Sequence, residues 1–133
     1  GVQPFLTAAT ILGVLAQRLV RKLCPHCKQE SFLNEQEWQH LAADYPLPRP
    51  EFVFKAVGCE ECRHTGYKGR IGIYEFMPLS LTTKQLIGAD ANLNQLRQQA
   101  KKEGVEPLRI AGARKILEGV TTLEEVLRVV PLN

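Results

Sequence analysis

Between Pro4 and Leu23 apolar side chains recur at positions 5, 8, 9, 12, 15, 16, 19 and 20, close to the 3.6-residue helical period. Basic residues collect toward the end of that run, where they suit a helix dipole. The pattern predicts one amphipathic helix over 4–23, stopped at Leu23 or Cys24 because a residue before proline is biased out of the helical region. Residues 35–43 (EQEWQHLAA) predict a short helix capped by Asn34, and the proline-rich 45–51 (YPLPRPE) an extended loop. The pattern then changes. Residues 52–57 (FVFKAV) and 70–76 (RIGIYEF) are rich in β-branched and aromatic side chains and predict two antiparallel strands joined by a structured turn. Their aromatics, Phe52, Phe54, Tyr67, Tyr74 and Phe76, read as core of that hairpin more readily than as a docking patch.

After Pro78 the punctuation is helical. Ser80 can cap 81–87 with Gly88 closing it, and Asn92 with Gln95 forms a capping box for 93–103, closed by Gly104. Pro107 opens 107–118, which Gly119 ends. Thr121-Thr122-Leu123-Glu124-Glu125 offers two overlapping capping boxes for a last helix over 122–130. Apolar positions such as Leu93, Leu96, Leu108, Ile116, Leu123 and Val126 let these helices bury one another. The expected class is therefore α+β and mostly helical: a small subdomain holding a two-stranded antiparallel hairpin, followed by a small helical bundle. The corresponding segments are 1–23, 24–77 and 78–133.

Composition supports a folded chain and removes several partners. With 133 residues, 44% hydrophobic and 23% charged, there is room for one ordinary domain or two small ones. The net charge of +3 is spread thinly, and no basic stripe suited to a phosphate backbone is present. The densest cationic run, Arg18, Arg21, Lys22 and Lys28, reads as a solvated helix end. Residues 5–16 are apolar but too short to span a bilayer, which needs about 20 residues, and they lack signal-peptide features. The expectation is a cytosolic chain, cut from something longer, with no insertion into a membrane.

The strongest chemical signal is the cysteines. All four fall into two Cys-x-x-Cys pairs, Cys24/Cys27 and Cys59/Cys62. A two-residue spacing lets one tight turn aim both sulfurs at a common centre, and two such turns supply the four thiolates of a tetrahedral zinc. Such a shell has no open position, so the zinc would be structural and would clip two distant chain segments together. The competing readings are disulfides or redox chemistry, which suit an oxidising compartment or a motif opening a helix in a βαβ unit. His26 and His64 flank the cysteines, but four sulfurs already complete a shell, and His40 reads as a surface residue. The glycines of Thr65-Gly66-Tyr67-Lys68-Gly69-Arg70 fit a tight turn better than a phosphate loop, since neither G-x-x-x-x-G-K-[ST] nor G-x-G-x-x-G occurs. No pair of acids and no nucleophile with a base stands out, so no catalytic residue is assigned.

The strings GVLAQRLVRKLCPHCK (13–28), GCEECRHTGYKGRIGIYEFMPL (58–79) and GVTTLEEVLRVV (119–130) together resemble the C-terminal end of the type II secretion and type IV pilus assembly ATPases. These are hexameric motors of the secretion superfamily. The resemblance implies that Cys24, Cys27, Cys59 and Cys62 are zinc ligands in a subdomain over 24–77. It makes 1–23 the terminal helix of the ATPase core and 78–133 a helical C-terminal part. The family's phosphate-binding loop, Walker B acid and Asp and His boxes have no counterpart in this stretch, so ATP and Mg2+ are implied for the parent protein only. No motif assigns a nucleotide contact to residues 13–22. Implied partners are neighbouring subunits of the parent hexamer and an inner-membrane platform protein, with a cytoplasmic location peripheral to the inner membrane. The alternative is a free-standing zinc-ribbon adaptor for nucleic acid, against which stand Glu60 and Glu61 inside the second knuckle.

Overall fold

In the computed structural model, residues 13–78, 80–89 and 92–130 are described. Strand β1 (Gly13–Leu23) leads into the first cysteine pair, and β2 (Gln29–Ser31) follows it. Helix α1 (Glu35–Leu41), strand β3 (Val53–Lys55), a single 3-10 turn (Glu60–Cys62) and the long strand β4 (Tyr67–Pro78) complete the first part. Four helices follow: α2 (Leu81–Gly88), α3 (Leu93–Lys102), α4 (Leu108–Leu117) and α5 (Leu123–Val129). The α+β class is as expected.

Two elements differ from the sequence reading. The predicted helix over 4–23 is a strand wherever it is described, from Gly13 on, and its earlier part lies outside the described residues. A helix would place Leu15, Leu19, Val20 and Leu23 on one face, yet Val20 and Leu23 are buried while Leu15 and Leu19 are exposed. The apolar run satisfied the helical period by composition, and pairing with the distant β4 decided its conformation. The second difference is partnership. The strands predicted at 52–57 and 70–76 both exist, but they do not pair with each other: β3 pairs with β2, and β4 with β1. The β2–β3 pair is antiparallel, with Gln29 opposite Lys55, Glu30 opposite Phe54 and Ser31 opposite Val53. Phe52, Tyr74 and Phe76, expected in the hairpin core, are exposed as a result.

The caps behave as local chemistry dictates. Asn34 accepts from the Glu37 N–H at 3.1 Å, Ser80 from the Thr83 N–H at 3.1 Å, and Asn92 and Gln95 form a reciprocal capping box. Thr122 caps α5 by accepting from the Glu125 N–H at 3.1 Å. The Thr121 box is not made, because its hydroxyl donates instead to the Arg21 carbonyl at 2.7 Å.

The contacts divide the chain into two units. One takes in the described residues up to Ala16 together with those of Tyr74–Pro107, hence α2 and α3. There Thr83, fully buried, donates to Glu103 at 3.0 Å, as does Gln99. The other unit takes in Gln17–Ile73 and the described residues from Leu108 on. Its core joins Val20, Trp38, Leu41, Ile73, Ile116 and Val126, so α4 and α5 pack with α1 and the strands. Gly112 sets the α4–α5 approach: a Cβ there would meet Val126 Cγ1 at 2.5 Å.

Candidate metal centre

Each cysteine pair sits on a tight turn. After Cys24, the Lys28 N–H returns to the Cys24 carbonyl at 3.1 Å. The second turn is the 3-10 segment Glu60–Cys62, followed by Arg63 and His64 in left-handed conformation, φ 56° and 63°. The His64 N–H closes it onto the Cys59 carbonyl at 2.8 Å, and the Thr65 hydroxyl onto the Cys62 carbonyl at 2.8 Å. Gly66 is required here. Its φ is +84°, and a Cβ would lie 2.5 Å from that of Ala56.

These turns bring the Sγ atoms of Cys24, Cys27, Cys59 and Cys62 within 4.8 Å of one another. The separations Cys24–Cys59, Cys27–Cys62 and Cys59–Cys62 are each 3.8 Å. That is nearly twice a disulfide's length of about 2.05 Å, and all four cysteines are free. A tetrahedron of thiolates at the usual zinc–sulfur distance of about 2.3 Å has edges of ~3.8 Å, so the donor set fits such an ion in number, chemistry and spacing. Backbone N–H groups point at the sulfurs: Gly58 toward Cys27 at 3.3 Å, and Cys59 and Gly66 toward Cys62, each at 3.2 Å. Burial opposes charge on Cys62, but the two N–H donors outweigh it and hold this thiol down to about 6. At Cys59 burial and the neighbouring thiols push the value up to about 11. His26 and His64 are exposed and outside the sulfur cluster, and His40 is exposed on α1.

The cluster is wired to the last two helices. The Leu23 N–H donates to Val120 at 2.8 Å, and Lys28, between the first cysteine pair and β2, donates to the Gly119 carbonyl at 2.9 Å. The Lys28 ammonium also lies 4.5 Å over the Phe54 ring. Three residues before Cys24, Arg21 binds the buried Glu125 of α5: its backbone N–H donates to Oε2 at 3.1 Å and its Nε at 2.7 Å. Arg128 reaches the same carboxylate at 2.8 Å, and the Arg21 guanidinium lies 4.2 Å over Tyr67, whose hydroxyl meets Thr122 at 2.8 Å. Burial disfavours the Glu125 charge, but the Arg21 and Arg128 donors prevail and hold the carboxyl down to about 2. In the sequence Glu125 reads only as a cap residue. Nothing local marks it as the partner of an arginine 104 positions away.

A family model described as Type II/IV secretion system protein matches residues 1–128. The chain belongs to that family. It is 71% identical over its whole length to the type IV pilus assembly ATPase TfpB of Acinetobacter baylyi, of which it covers 23%. It is 44% identical over 129 residues to type II secretion system protein E of Pseudomonas aeruginosa, covering 97% of this chain and 25% of that protein. With the type IV pilus assembly ATPase PilB of Thermus thermophilus it shares 39% over 127 residues, covering 96% of this chain and 14% of that protein. This family member thus spans a quarter or less of the length of these relatives. Among its described residues no helix is long and apolar enough to cross a membrane.

Proposed function

We propose that this secretion-family chain is a zinc-clipped, non-catalytic module of an assembly ATPase that drives pilus or pseudopilus assembly, or type II secretion, from the cytoplasmic side of the inner membrane. The observation that carries the zinc reading is the set of 3.8 Å sulfur separations among Cys24, Cys27, Cys59 and Cys62. Zinc held by four thiolates supplies no open coordination position, so its contribution is to folding and shape. The residues around it do the mechanical work. Lys28, Arg21 and the Leu23 backbone fix the cysteine turns to α4 and α5, making a stiff body that can press on a neighbouring subunit or on an inner-membrane platform protein.

ATP and Mg2+ belong, in this reading, to the larger protein, because no phosphate-loop motif occurs in residues 1–133. Mass spectrometry under native conditions tests the metal: one zinc per chain is expected, and a folded chain free of metal refutes it. Phosphate release from ATP by the purified chain should not rise above the buffer blank. Release that follows the protein through purification overturns the non-catalytic reading.

A further inference from the structure

The segment between the cysteine pairs differs in charge from the rest of the chain. Residues 29–55 hold five acids, Glu30, Glu35, Glu37, Asp44 and Glu51, against two bases, Arg49 and Lys55, a net −3 in a chain whose total is +3. At the open end of its β2–β3 ladder stand two phenylalanines. Ser31 opposite Val53 is the last registered pair, and Phe32 and Phe52 are the next residue on each strand. Phe32 is 97% exposed and Phe52 43% exposed. Folding gains almost nothing from a phenylalanine left in water, so burial does not explain Phe32. Beside it a cleft runs between β3 and the start of α5, lined by Phe32, Val53, Phe54, Lys55, Leu123 and Glu124. Glu30, Glu37, Glu51 and Glu124 are exposed, while Glu35, also exposed, is paired with Arg49.

We propose that this acid-rimmed aromatic tip docks a Lys/Arg-rich segment of a partner protein that carries an apolar side chain for the cleft. The proposal rests on the partner-contact reading above and names the contact point. Charge complementarity selects the occupant: exposed Glu30, Glu51 and Glu124 outnumber Lys55 at this tip, which repels anionic lipid and nucleic acid and attracts cations. The rings add a second reason, since a guanidinium or ammonium over an aromatic face is favourable. The molecule already uses that contact at Phe54, where the Lys28 ammonium lies over the ring. Membrane proteins enrich their cytoplasmic loops in lysine and arginine, so the platform of a membrane-bound machine presents segments of this chemistry.

The test uses the zinc-loaded 133-residue chain, isotope-labelled for NMR. The probes are ~15-residue peptides tiled across the cytoplasmic segments of the machine's inner-membrane proteins, charge-reversed versions of them, and vesicles containing phosphatidylglycerol. Expected is binding of a basic peptide with shifts confined to residues 29–37, 49–55 and 123–124, no binding of its charge-reversed version, and weakening as salt rises from about 50 to about 500 mM. Phe32→Ser and the double variant Glu30→Lys/Glu51→Lys should each weaken it about tenfold or more, the loss an aromatic anchor commonly carries. Phe76→Ser, at an exposed aromatic outside this segment, should leave the affinity unchanged. Unchanged zinc content in each variant excludes misfolding as the cause. Binding that Phe32→Ser does not weaken, with shifts elsewhere, overturns this inference and leaves the partner-contact reading standing. If no peptide binds, both fail. Binding to the vesicles, or self-association that Phe32→Ser abolishes, overturns the choice of occupant.

Discussion

The two pairs of helices in the second half obey the same capping grammar, yet they belong to different bodies. Helices α2 and α3 pack on each other, with Ser80, Thr83, Gln99 and Glu103 joined by hydrogen bonds drawn from a span of 24 residues. Helices α4 and α5 pack with α1 and β3, and are bonded to β1 and the first cysteine turn, a hundred residues away. The lesson is that a well-capped helix need not owe its stability to the helix beside it. Residues 78–133 read in sequence as one small helical bundle, and the contacts group them with different parts of the chain on either side of Pro107.

Removing the proposed zinc should separate the two helix pairs most sharply. Chelation, or Cys59→Ser, is expected to abolish amide protection over residues 24–70 and also over α4 and α5, while α2 and α3 keep theirs. Hydrogen exchange with and without chelator reads this directly. If α4 and α5 remain protected, the bonds from Leu23, Lys28 and Arg21 are not what holds them. Uniform loss along the chain would mean a single cooperative core.

Next in size is Glu125→Gln. A carboxyl moved from 4.5 to about 2 corresponds to about 3 kcal/mol of stability. Because the folded value is the lower one, that contribution is complete above about pH 4.5 and drains away as pH falls toward 2. Urea denaturation of both proteins from pH 6 to pH 2 should show a gap of about 3 kcal/mol at pH 6 that closes in acid. A gap that stays constant with pH would assign the effect to packing.

Gly112→Ala should cost about 2 kcal/mol in the same unit, since the new Cβ would press Val126 at 2.5 Å and overpacking commonly costs 1–3 kcal/mol. The loss should register in the denaturation midpoint of α4 and α5 and leave exchange in α2 and α3 unaltered. Smallest is Asn92→Ala, which removes a cap worth about 1 kcal/mol. Its effect on exchange should be confined to α2 and α3, with zinc content unchanged.

The cysteine pairs and the caps were legible in the sequence because each depends on residues a few positions apart: Cys24 with Cys27, Asn92 with Gln95, Ser80 with Thr83, Thr122 with Glu125. Their chemistry closes within a single turn, so spacing alone carries it. β1 was not legible. Its apolar run fits a helix as readily as a strand, and the choice fell to β4, roughly fifty residues on. The same holds for strand partnership, for the exposure of Phe52, Tyr74 and Phe76, and for the arginine that Glu125 binds. Phe32 shows the limit most simply: one phenylalanine looks like another in a sequence, and whether it is buried depends on what the rest of the chain leaves uncovered. From the sequence came the pairing of the four cysteines, the family and the ends of the helices after Pro78. Which elements share a core was settled in the folded chain, because burial between segments far apart in sequence makes that choice.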